Sequence, residues 1–194
     1  MYNTLEEFIS MNRRAAIGSI VATTAVVPVA LGADEGITDW VGWWERSKKY
    51  TLQIAEAMPE ADYGYRPFQG SGAAADGVRS GDGARSFGEL MQHIGQAEGF
   101  YLGRFGKGNV PAAPRNDTTK ATTLKYLNDL FDWSISVVKQ LTPTDLANSV
   151  SAGRGPAMTG LDALLNALVH TAHTRGYSDL YLRSKNTKPP TYSV

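Results

Sequence analysis

Histidine titrates near neutral pH and is the commonest side-chain ligand of divalent metals, and this chain of 194 residues carries three, His93, His170 and His173. Two of them fall in one stretch, Leu161 to Leu182, LDALLNALVHTAHTRGYSDLYL, and chemistry is expected to centre there. Glu89 stands one helical turn before His93, a spacing at which a carboxylate and an imidazole could share acid–base work. Cysteine is absent, which removes thiolate metal sites, thiol nucleophiles, disulfides and an attached lipoprotein anchor. No Ser-His-Asp order or nucleophile-elbow motif is present.

Helices must position these side chains. In the last stretch, Leu161, Leu165, Val169, Ala172 and Gly176 form one stripe, and Ala163, Ala167, His170, Thr174 and Tyr181 form another. Both avoid charge, so the stretch is expected to be a central core helix, the last of a bundle. Its histidines, Asp162, Arg175 and Asp179 make it too polar to span a bilayer. Its start is marked by Thr159 with Asp162 three positions on. The spacing predicts three earlier helices, giving a set over 38–58, 86–104, 118–141 and 160–183. The first turns Trp40, Trp43, Trp44, Tyr50, Ile54 and Met58 inward and stops at Pro59. The second opens on a capping box, Ser86 with Glu89, and its stripe is Leu90, Ile94, Ala97, Tyr101 and Phe105. His93 lies about 40° from Ala97, able to point between helices or into solvent. The third buries Leu124, Leu127, Phe131, Ile135, Val138 and Leu141 and is stopped by Thr142-Pro143. Residues 146–158 are Ser/Gly-rich and are expected to contribute an extended piece.

Size and charge narrow the function. The length suits one domain, and 19 basic against 19 acidic residues leave no basic cluster to draw in nucleic acid. The glycine-rich segment QGSGAAADGVRSGDGA lacks the Lys-Ser/Thr ending of a phosphate loop and reads as an irregular connection. At the N-terminus, Arg13-Arg14 precedes a weakly hydrophobic run, Ala15 to Ala33, that ends in the small residues Ala30, Gly32 and Ala33. This anatomy resembles a twin-arginine export signal, although Ala15-Ala16 stand where bulkier residues are common. The expected division is therefore a removable signal over 1–33 and a bundle domain over 34–194, exported to a periplasmic or extracellular location. No stable membrane span remains once the signal is gone.

One His on the second helix and a His-rich fourth helix come with specific wording. Trp43 to Pro59, YRPF at Tyr65 to Phe68, RSFGELMQHIGQAE at Arg85 to Glu98, LTPTDL at Leu141 to Leu146 and LLNALVHTAHTRG at Leu164 to Gly176 together resemble the DinB-like family of four-helix bundles. The resemblance implies an all-α fold, up-down-down-up, with a long crossover between helices 2 and 3, and usually a homodimer. It also implies a divalent metal, zinc or nickel, held by one His on the second helix and a His-x-x-x-His pair on the fourth, just before Arg-Gly-Gln. His93 matches the first ligand and His170 the second, with Arg175-Gly176 marking the register. Thr174 occupies the third-ligand position, and Tyr177 stands where the family commonly has Gln. His173, about 60° from His170 around the helix, or a water would then complete the shell. The function so implied is that of an exported metal-dependent hydrolase or thiol-dependent transferase acting on an unknown small molecule. The alternative is a bundle that has lost its metal and serves as a binding or structural module.

Overall fold

The computed structural model describes residues 33–67, 85–150 and 157–192. The expected export segment and the glycine-rich connection lie outside the described residues. Helix α1 runs Ala33–Ala57, α2 Phe87–Leu102, α3 Lys120–Val138, α4 Pro143–Ala147 and α5 Gly160–Ser184. The first starts five residues earlier than expected, because only Gly36 weakens the stretch before Trp40, and one glycine costs a helix about 1 kcal/mol. The short α4 was not expected. The preceding helix ends at Val138 with Lys139 as its cap, short of the expected stop at Thr142-Pro143, and Thr142 instead caps a new helix: its side chain accepts from the Asp145 amide, Asp145 returns the bond, and Pro143 fills the first turn. The extended piece is a two-residue antiparallel ribbon, with Ser149 opposite Thr159 and Val150 opposite Met158. The capping boxes of Ser86 with Glu89 and Thr159 with Asp162 open α2 and α5 as expected.

Contacts between helices fix their directions. Lys48 of α1 pairs with Asp132 of α3, and Glu56 with Lys120, so these two helices run antiparallel. Gln92 donates to Thr123, and a Cβ at Gly95 would meet Tyr126 at 2.6 Å, which sets α2 parallel to α3. Arg85 meets Tyr181, and Glu98 meets Thr171, so α5 runs back along α2. Ser47 lies against Arg175 and Tyr50 against Asp179, making α5 parallel to α1. The result is up-down-down-up. A parallel α2 and α3 require the chain to return the length of the bundle between them, and residues 103–119 do so. The missing side chain at Gly95 lets these two helices approach closely.

Trp44, Ile54, Met58, Phe87, Ile94, Leu127, Phe131, Leu164 and Leu182 meet in the core. Two expectations about what faces inward are corrected. On α5 the stripe of Ala163, Ala167, Thr174 and Tyr181 is buried, whereas Leu161, Leu165, Val169, Ala172 and Gly176 are exposed. This helix is therefore covered on one side only and is not a central core helix. Both stripes lack charge, so polarity alone could not tell them apart. Trp43 likewise faces solvent, with Arg46 over its ring, because Trp44 takes the inward position next to it.

Candidate functional site

His93 sits on the edge of α2 nearest α5, and His170 sits where the buried face of α5 meets its exposed one. The bundle brings the two rings together, centroids 4.8 Å apart and edge to face at 74°. Both are half-buried. Thr174, one turn beyond His170, is only 3% exposed and faces the interior. His173 is on the outer surface of the helix, its ring packed edge-on against Tyr177 at 4.9 Å. The structure thus joins His93 with His170, with Thr174 inward of them and His173 turned outward.

The site's charges follow from its surroundings. Burial lowers the pKa of His170 below the usual imidazole value, and the charges of His173 and Arg85 lower it further. The ring is consequently neutral at pH 7, with a lone pair to offer. Its Nδ1 is buried and has no hydrogen-bond partner among the described residues. Glu89, the carboxylate one turn before His93, is committed elsewhere: Oε2 accepts from the Ser86 amide and Oε1 from Arg66 Nη2, both at 2.7 Å. Burial alone would raise its pKa, but these bonds hold it below the usual carboxylate range. A Glu89–His93 proton exchange has no support in this arrangement.

Do these residues fit a metal? With metal–nitrogen bonds of about 2.0–2.1 Å, two imidazoles on one cation have centroids about 4.5–5.2 Å apart, which includes the observed pair. An orphaned buried nitrogen beside a second ring also suits a cation. Yet no group of three or more His, Asp or Glu that could hold a metal occurs among the described residues. The fit is that of a two-imidazole half-site, with the buried Thr174 one helical turn beyond His170.

Beside this pair lies a polar cluster that sequence reasoning passed over. Glu98 is fully buried, accepting from Trp44 Nε1 at 3.0 Å and Thr171 Oγ1 at 2.8 Å. Burial pushes its carboxyl pKa up, opposed by those two bonds and by the charge of Arg175. Arg175 is itself buried, its Nη1 donating to Ser47 O and Oγ and to Thr51 Oγ1. Together these residues tie α1, α2 and α5 at one level, and since Thr171 adjoins His170 they set the roll of α5 that aims the ring. The available signal was a charge at an apolar phase, because Glu98 falls four residues after Ile94, where the stripe calls for a hydrophobe.

Similarity to known proteins bears on the fold. No curated protein matches the chain. Two solved structures share its fold: a DinB-like protein from Bacillus subtilis, at 22% identity and a TM-score of 0.59, and a DinB-like protein from Bacillus cereus ATCC 10987, at 16% and 0.63. Each alignment covers 80% of this chain and 97% of the other. The sequence model of the DinB superfamily matches residues 44–178, more than two thirds of the chain, and so the chain belongs to the DinB superfamily.

Proposed function

We propose that this protein is an exported DinB-superfamily bundle in which His93 and His170 form the protein half of a weak divalent-cation site, for zinc or nickel, between α2 and α5. The observation that supports this reading is the pairing of the two rings at 4.8 Å with His170 Nδ1 buried and unpartnered. When bound, such a cation supplies a Lewis acid with open positions, able to polarise a substrate oxygen and to acidify a bound water or thiol. The chain does the rest. His170 is kept neutral first by burial, with its neighbours His173 and Arg85 acting in the same direction, so its lone pair is not lost to a proton. The backbone of Arg85 is anchored by the Tyr181 hydroxyl at 2.8 Å, which keeps a positive charge by the pair where an anionic substrate group would be drawn. The Glu98 cluster holds α5 in register. Hydrolysis or thiol-dependent transfer on a small molecule are the reactions such a site favours.

One feature favours a second reading. Thr174 stands at the third-ligand position, and a neutral hydroxyl is a poorer partner than imidazole for zinc or nickel. A bundle that has given up catalysis and serves as a binding module is consistent with it. No helix among the described residues is long and apolar enough to cross a membrane.

Imidazole 15N NMR during a zinc titration tests the site. The resonances of His93 and His170 should shift together while those of His173 stay. Movement of His173 alone, or of none, would overturn the assignment.

A further inference from the structure

Helices α1 and α5 enclose a groove of their own. Trp40 and Trp43 wall it on one side and Leu165, Leu168 and Val169 on the other, around a cavity of about 290 Å³. Tyr192, beyond α5, also lines it and is held there by an edge contact with the Tyr50 ring at 4.9 Å. The α5 residues of the groove lie about 100–160° around the helix from His170, so the groove and the histidine pair open on different sides of α5. Small-molecule sites have this make-up, mostly hydrophobic and aromatic with a few placed polar groups, and this cavity lies at the lower end of their range of roughly 300–1,000 Å³.

Its charges are all of one sign. Arg46 and Arg175 line the groove, and no Asp or Glu does. Arg175 is only 8% exposed, and its Nη1 donates to Ser47 and Thr51. Among the described residues no hydrogen bond engages its Nε or Nη2, and neither Glu98 nor Asp179, whose charges it feels, forms an ion pair with it. A buried guanidinium with unspent donors is costly unless an anion meets it. Arg46 stands at the exposed rim, its guanidinium 4.7 Å from the centre of the Trp43 ring, and adds a second positive charge at the entrance. We propose that this groove binds a small aryl-alkyl carboxylate, its carboxylate on Arg175 and its apolar body between Trp40, Trp43 and Val169. The two oxygens of a carboxylate match the planar guanidinium fork. A bare phosphate would lose its hydration against apolar walls and gain nothing from the aromatic rings. The site is independent of the metal reading, since neither His93 nor His170 takes part.

Calorimetric titration with phenylbutyrate tests this, with a chelator present so that no cation holds the carboxylate, alongside NMR of the Trp40 and Trp43 indole N–H groups. The acid should bind saturably and shift both indoles. Phenylbutanol keeps the body without the charge and should bind about tenfold more weakly, the difference one charge-assisted hydrogen bond makes. Inorganic phosphate should shift neither indole. Arg175→Gln removes the anchor but also the bonds to Ser47 and Thr51, so a second variant guards against misfolding: Val169→Glu, at a position 65% exposed, should leave the circular dichroism unchanged and weaken the acid more than the alcohol. His93→Ala should leave acid binding as it is. Absence of saturable binding, equal affinity for acid and alcohol, indole shifts with phosphate, or an acid titration indifferent to Val169→Glu would each overturn the proposal. Indole shifts that follow protein concentration instead of the acid would place a second copy of the chain in the groove and overturn it as well.

Discussion

Replacing Glu98 separates its two roles, as hydrogen-bond acceptor and as buried charge. In Glu98→Ala, the Trp44 indole N–H and the Thr171 hydroxyl lose their acceptors inside the core. Each buried unpaired donor costs about 1–3 kcal/mol, and the emptied volume adds a cavity term. The expected loss is about 3–5 kcal/mol, a large part of the roughly 5–15 kcal/mol that holds such a domain together. Glu98→Gln keeps the volume. Its carbonyl still accepts from Trp44, its amide donates to the Thr171 oxygen, and the loss falls to about 1 kcal/mol. The pH dependence follows from the raised pKa of Glu98. A carboxyl whose folded pKa lies above its unfolded value of about 4.3 favours the folded state below that value, and the contribution is lost as pH rises through the folded pKa. The advantage of the wild type over Glu98→Gln should therefore shrink with rising pH. Urea titrations at several pH values, with unchanged m-values, measure both effects. An Ala variant within 1 kcal/mol of the wild type would refute the view that this cluster ties the three helices together.

Other predictions follow from single features. Gly95→Ala places a methyl 2.6 Å from the Tyr126 ring, so α2 and α3 must part, and a destabilisation of about 1–3 kcal/mol is expected in a thermal melt; no change would mean that the close approach is not tight. Because the folded pKa of His170 lies below its unfolded value of about 6.5, its contribution is present above that pH and lost as pH falls through the folded value. His170→Gln should flatten the urea midpoint between pH 8 and pH 5, and a variant as pH-sensitive as the wild type would contradict this. Changing Arg13 and Arg14 together to Lys should trap the protein in the cytoplasm, as read by fractionation; undiminished export would exclude a twin-arginine route.

Much of the bundle was legible because its signals are local. Apolar positions on α3 repeat without conflict, and Ser86, Thr159 and Pro59 punctuate the chain where helices begin or end. The direction of each helix was not local information and came only through the family resemblance; contacts such as Lys48 with Asp132 and Gly95 with Tyr126 now establish it. On α5 the reading of burial failed for a physical reason. Two uncharged stripes compete there, and the face that is buried also carries the charged Arg175 and the polar Ser178, because partners on α1 and α2 offset their polarity. Such compensation spans 87 and 128 residues, beyond any periodic pattern. The convergence of His93 and His170 was likewise readable only through the family pattern.

The two-imidazole half-site is tested most directly by calorimetric titration with zinc and nickel of the wild type beside Thr174→His, which restores a second imidazole one turn from His170. The account predicts weak or substoichiometric binding by the wild type and tight binding of one metal per chain by the variant, abolished when His93 is also changed to Ala. Tight stoichiometric binding by the wild type that disappears in His173→Ala would contradict it, because His173 would then complete a three-histidine shell that the observed orientation of α5 does not provide.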